Sequence, residues 1–227
     1  MPGPKARDAQ TIIENLIFLQ PLREIKGSYS YHRGPSMSNS PIILASSSPR
    51  RRQLLLEAGY DFTIVPPRES AESGNPEGES AQRMVARLAR QKAFDVAMRV
   101  GNGIVLGCDT VAECNGRILG KPSDMAHARG MLRLLQGTEH RVLSGLCLWE
   151  AGTGHHAVEV AITRLAMEPL SDERIEAYLG TGQWQGKAGA FGYQDEHDWL
   201  RILAGSESNV VGLPLELLAE ILTGMNG

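Results

Sequence analysis

Serines and arginines stand in one unbroken run, Ser46-Ser47-Ser48-Pro49-Arg50-Arg51-Arg52, between a short apolar stretch (Pro41 to Ala45) and a helical pattern (Leu54, Leu55, Leu56, Ala58). This predicts strand, tight turn and helix start, with Ser48 as N-cap and Pro49 in the first turn, where its missing N–H costs nothing. Arginines at that end oppose the helix dipole. Free backbone N–H groups, hydroxyls and guanidinium forks converging on one place select an anion, best a phosphate. One arginine there would read as a solvated basic turn; three in a row favour the phosphate.

Asp109 interrupts the apolar run from Ile104 to Ala112. A carboxylate buried in a strand is costly as an ion unless it is paired or metal-bound. The chain then turns and comes back through Gly120-Lys121-Pro122, which can bring a lysine close to it. A structural hydrogen bond at a hairpin end explains Asp109 alone equally well. Acid plus returning lysine is better explained by a site for phosphate and a cation. A glycine-rich segment from Gly186 to Gln194 adds Lys187, and its glycines allow positive φ and close backbone approach to a ligand. It lacks the GxxxxGK[ST] spacing of a P-loop. Taken singly, Lys92 reads as a solvated helix face, and Glu69 and Glu72 as members of an acidic, proline-bearing loop.

The elements that must position these groups follow from periodicity. Strands are predicted at 41–45, 62–65, 103–113, 117–119, 140–150, 156–165, 199–203 and 209–211. Helices are predicted after Ser48, from Ser80 to about Arg99, over 123–136, from Ser171 to Leu179 and over 214–222. Asn115-Gly116 signals a type I′ hairpin. Loose alternation with hairpins implies a mixed-sheet α/β fold rather than a strict βαβ series. Residues 1–40 differ in composition and read as a flexible N-terminal extension, with Met37 as an alternative start, ahead of one domain over 41–227.

The chain has 227 residues, 42% hydrophobic and 22% charged, with a net charge of -3. That balance gives no basic field for nucleic acid, so such binding would need a local patch. Cys108, Cys114 and Cys147 lack ligand spacing and read as reduced thiols. No apolar run reaches the roughly 18 residues of a spanning helix, and no signal-peptide pattern opens the chain. A soluble cytoplasmic protein is therefore expected. HExxH and GxSxG patterns are absent, which argues against zinc-protease and acyl-transfer chemistry.

The stretches Leu44-Ala45-Ser46-Ser47-Ser48-Pro49-Arg50-Arg51, Arg87-Leu88-Ala89 with Lys92-Ala93, Gly107-Cys108-Asp109-Thr110-Val111, Gly120-Lys121-Pro122, Lys187-Ala188-Gly189 and Val211-Gly212-Leu213-Pro214 resemble the Maf family in order and spacing. The resemblance runs from about Ile42 to the C-terminus. It implies an elongated, two-lobed mixed α/β fold with a central cleft, related to the inosine triphosphate pyrophosphatases and often dimeric. The implied activity cuts nucleoside triphosphates between the α and β phosphates, with Mg²⁺ or Mn²⁺, in clearing the nucleotide pool. By position, Asp109 is implied as the base that activates water. Ser46, Arg50, Arg51, Lys92, Lys121 and Lys187 are implied around the polyphosphate and metal. Arg50, Thr110 and Gln194 match the branch preferring dTTP and UTP. Two positions depart from the family pattern. Ala71-Glu72 replaces an Asp-Glu pair, which leaves Glu72 with Asp109 as the implied metal ligands and Glu69 as the alternate. Gln183 replaces a glutamate and removes a negative charge, which keeps open a nucleotide-binding regulator of septum formation as the alternative function.

Overall fold

The computed structural model describes residues 42–74, 76–195 and 198–225, so the expected extension over 1–40 lies outside the described residues. Seven strands form one mixed sheet: β1 (Ile42–Ala45), β2 (Phe62–Ile64), β3 (Ile104–Cys114), β4 (Arg117–Leu119), β5 (Glu139–Glu150), β6 (His156–Met167) and β7 (Leu200–Ala204). Their order is β2-β1-β3-β5-β6-β7, with β4 paired to β3 outside that path. The β2-β1-β3 portion is parallel; β3 pairs antiparallel with β4 and β5, as do β5 with β6 and β6 with β7. The helices are α1 (Pro49–Glu57), α2 (Ala81–Ala97), α3 (Met125–Leu135), α4 (Asp172–Gly180), α5 (Glu207–Val211) and α6 (Leu215–Met225).

Every residue of β1 is buried, as expected of a strand covered on both faces. Ile43 and Ala45 pack with Ala89, Ala93 and Val96 of α2 on one face. Ile42 and Leu44 pack with Leu54 and Leu55 of α1 and Leu215 and Leu218 of α6 on the other. A further core joins α3, α4 and the far half of the sheet through Leu132, Leu135, Leu165 and Ile175. Strand β3 runs through both regions and is fully buried except at Asp109 and Thr110. These two residues therefore mark where one core ends and the next begins.

α2 is seated unusually deep. A Cβ at Gly107 or Gly145 would overlap the backbone carbonyl of Ala89 or Val85 respectively, so these glycines let the helix backbone rest directly on β3 and β5. Ser80 caps α2, its hydroxyl accepting from the Arg83 N–H. The Asn115-Gly116 hairpin forms as its sequence demands, with φ of 51° and 75°.

Two expectations change. Residues 209–211 lie in helix α5, not a strand: Ser206 caps it by accepting from the Asn209 N–H, and this local cap outweighs the β-branched Val210-Val211 pair. Ser48 precedes α1 but makes no side-chain cap; its own N–H instead donates to Ser46 Oγ at 3.2 Å. No helix among the described residues is long and apolar enough to cross a membrane.

Candidate active site

The site occupies a gap in the sheet. On one edge of β3, β1 pairs with residues 104–107 and β4 with residues 112–114, which leaves Cys108 to Val111 unpaired between them. β1 runs parallel to β3 and β4 antiparallel, so both strands end facing the gap. The segments that leave those ends, Ser46 to Arg51 and Gly120-Lys121, flank Asp109 and Thr110 from either side. Ligand sites at the carboxyl ends of parallel strands have the same origin: chain ends diverge there and leave a crevice.

Because side chains alternate along a strand, Asp109 and Thr110 serve opposite faces of the sheet. On the α2 face, Lys92 Nζ lies 2.6 Å from Asp109 Oδ1 and 3.2 Å from Glu72 Oε1. Lys92 is only 6% exposed, and the deep seat of α2 is what lets its stem reach β3. Glu72 approaches from the acidic loop after β2 with its side chain half exposed. Lys121 completes this group. Desolvation, then the nearby charges of Arg51 and Lys92, hold its pKa below the usual lysine value, opposed by Glu72 and Asp109.

On the other face, Arg51 spreads its guanidinium over three acceptors: Gly212 O at 2.8 Å, Ser46 Oγ at 3.1 Å and Thr110 Oγ1 at 3.2 Å. Thr110 continues to Ser144 Oγ at 2.9 Å. A cavity opens here against Arg50, Arg51, Thr110, Lys121, Lys187 and Gln194. Arg50 spans its mouth by donating to Gly186 O at 2.6 Å. Burial, then Arg51, lowers the Arg50 pKa, while Asp195 and Tyr178 raise it. Lys187 reaches this wall with its ammonium engaged by both carboxylate oxygens of Asp195. Arg52 is exposed.

The profile of the Maf-like protein family matches residues 41–225. The chain belongs to this Maf-like family. A relative from Rhodopirellula baltica, named dTTP/UTP pyrophosphatase, is 54% identical over 182 residues, covering 80% of each chain. A second of that name, from Pelotomaculum thermopropionicum, is 42% identical over 80% of this chain and 94% of its own. Among solved structures, a HAM1 protein from Coxiella burnetii aligns over 82% of this chain and 99% of that one, with 15% identity and a TM-score of 0.44.

Of the implied site residues, Arg50, Arg51, Thr110, Lys121, Lys187 and Gln194 line the cavity, Ser46 bonds Arg51, and Lys92 joins Glu72 to Asp109 on the other face. Two oxygen donors, Glu72 and Asp109, face the same ammonium; no cluster of three or more His, Cys, Asp or Glu side chains suited to a metal occurs among the described residues. Sequence reading missed the partners that hold the cations. The Gly212 carbonyl was signalled only as part of Val-Gly-Leu-Pro. Ser144 carried no signal. Asp195 had one, as an acid closing a loop that opens on a lysine.

Proposed function

We propose that this Maf-like protein hydrolyses nucleoside triphosphates between the α and β phosphates, releasing a nucleoside monophosphate and pyrophosphate, with dTTP and UTP preferred. The observation that carries this is a carboxylate, Asp109, set in a sheet gap between two strand ends that deliver Ser46-to-Arg51 and Lys121. The names of the relatives support the same reaction and weigh against a regulator without turnover.

Arg50, Arg51 and Lys121 neutralise the polyphosphate so that water can approach phosphorus, and they stabilise the charge that grows on the departing pyrophosphate. Arg51 is held for this role by its three bonds. Asp109 accepts the proton of the attacking water, whose oxygen bonds to the α phosphorus as the bond to the bridging oxygen breaks. Lys92, 2.6 Å from Asp109 Oδ1, holds the carboxylate in its orientation. Glu72 and Asp109 are hard oxygen donors, and Mg²⁺ sites commonly use one or two carboxylates completed by substrate phosphates, so the pair fits a divalent cation held jointly with substrate. When bound, that cation would supply Lewis-acid polarisation of phosphate oxygens. At the base end, Gln194 stands exposed on the cavity wall with both a donor and acceptors for a pyrimidine edge. Thr110 contributes through Arg51, which already occupies its hydroxyl.

The test is product analysis on a panel of triphosphates with Mg²⁺ or Mn²⁺. Pyrophosphate and monophosphate are expected, and Asp109→Asn should lower kcat by about 10²–10⁴-fold while leaving the fold intact. Release of orthophosphate would overturn the reaction class.

A further inference from the structure

We propose that Asp195 is a positioning residue for the base side of the cavity: it commits Lys187 to an ion pair that closes loop 186–195 into a ring and presents Gln194 in a fixed place. Lys187 then works as a clamp on the loop and not as a phosphate contact. The proposal rests on the nucleotide reading of this cavity.

The ammonium of Lys187 meets both carboxylate oxygens of Asp195, and the two side chains are only 12% and 10% exposed. The Tyr178 hydroxyl donates to Asp195 Oδ2 at 3.1 Å, anchoring the pair to α4. Burial, and then the Asp195 charge, push the Tyr178 pKa upward, so its hydroxyl stays a donor. The ring is built around the pair. A Cβ on Gly192 would collide with Lys187 Nζ and stand 2.7 Å from Asp195 Oδ2. The Ala190 N–H donates to Lys187 O at 3.1 Å and the Asp195 N–H to Gly192 O at 3.3 Å, while Gly189 donates outward to Gly120 O at 3.0 Å, beside Lys121. The fork of Arg50 fastens the same loop at Gly186. Gln194 is the immediate neighbour of Asp195, so the clamp that fixes one fixes the other.

An ion pair this enclosed is costly to break by halves, because the surviving charge is stranded. That gives the clamp a signature separate from phosphate binding. Lys187→Met, Asp195→Asn, the double variant and Asp195→Glu are compared by thermal unfolding, by calorimetric binding of a non-hydrolysable α,β-methylene pyrimidine triphosphate, and by turnover. Each neutralising single variant is expected to lower Tm, and the double variant to recover part of the loss. Both singles should weaken binding and raise KM by about tenfold or more while kcat stays within about threefold. Asp195→Glu should restore part of the affinity. If Lys187→Met instead loses kcat while Asp195→Asn leaves binding and KM unchanged or improved, the lysine contacts phosphate and the proposal fails. Additive Tm losses also defeat it. Wild-type protein that releases no pyrophosphate would refute the functional reading, while Tm and analogue binding still decide the clamp.

Discussion

Asp109 and Thr110 are consecutive, yet each governs a different face of the sheet. Asp109 answers to Lys92 and Glu72, and Thr110 answers to Arg51 and Ser144. The demand on Arg51 is geometric, since a planar fork serves three acceptors that a lysine ammonium cannot reach together. Arg51→Lys keeps the charge and should still lower kcat/KM by about tenfold or more, the loss of at least one charge-assisted hydrogen bond; steady-state kinetics with dTTP checks this. The sequence was informative about Asp109, because a carboxylate in an apolar strand needs a partner. Lys92 taken singly reads as a solvated lysine on a helix, and only the Maf-like resemblance set it at the site. Its burial depends on how near α2 lies to β3, and spacing within one helix does not encode that distance.

At the scale of elements, that distance is set by Gly107 and Gly145. Gly145→Ala would drive a methyl group into the Val85 carbonyl. It should destabilise the protein by about 1–3 kcal/mol and also reduce kcat, since lifting α2 draws Lys92 away from Asp109; a denaturant melt beside an activity assay separates the two effects. Gly130 is the contrast. It lies inside α3, where an added Cβ would meet nothing within 4 Å and φ is not positive, so Gly130→Ala should stabilise by about 0.5–1 kcal/mol without touching turnover. Strand and helix periods made most elements readable, including the Asn115-Gly116 hairpin. The gap between β1 and β4 was not readable, because it comes from pairing register between segments far apart in the chain. Helix α5 was misread for a related reason. Asn209, buried in it, donates its Nδ2 to Val142 O and Thr163 Oγ1, groups far away along the chain.

At the scale of the whole molecule, one buried histidine ties stability to pH. His140, 3% exposed, packs edge-on against Phe191 with ring centroids 5.2 Å apart. Burial lowers its pKa from 6.5 to about 4, opposed by the Thr138 backbone. The folded protein thus binds fewer protons here than the unfolded chain. The stabilisation is complete above the unfolded pKa and is lost as pH falls from about 6.5 toward 4, by up to about 3 kcal/mol. Tm measured from pH 7.5 down to 4.5 should fall, and more steeply than in His140→Gln. Phe191 also lines the cavity, so the histidine and that wall of the cavity share a packing contact.

The Gly212 carbonyl, which accepts from Arg51 Nε at 2.8 Å, sits 161 residues downstream of that arginine. On the ribosome, the serine-arginine turn is therefore made long before its anchor exists. Until the segment around Gly212 emerges, the Arg51 fork has no backbone oxygen to hold it. Catalytic competence waits for this segment, which emerges just ahead of α6, and a nascent chain stalled before Gly212 should show no triphosphate turnover when assayed on the ribosome. Activity in this protein consequently reports a chain whose synthesis has passed Gly212.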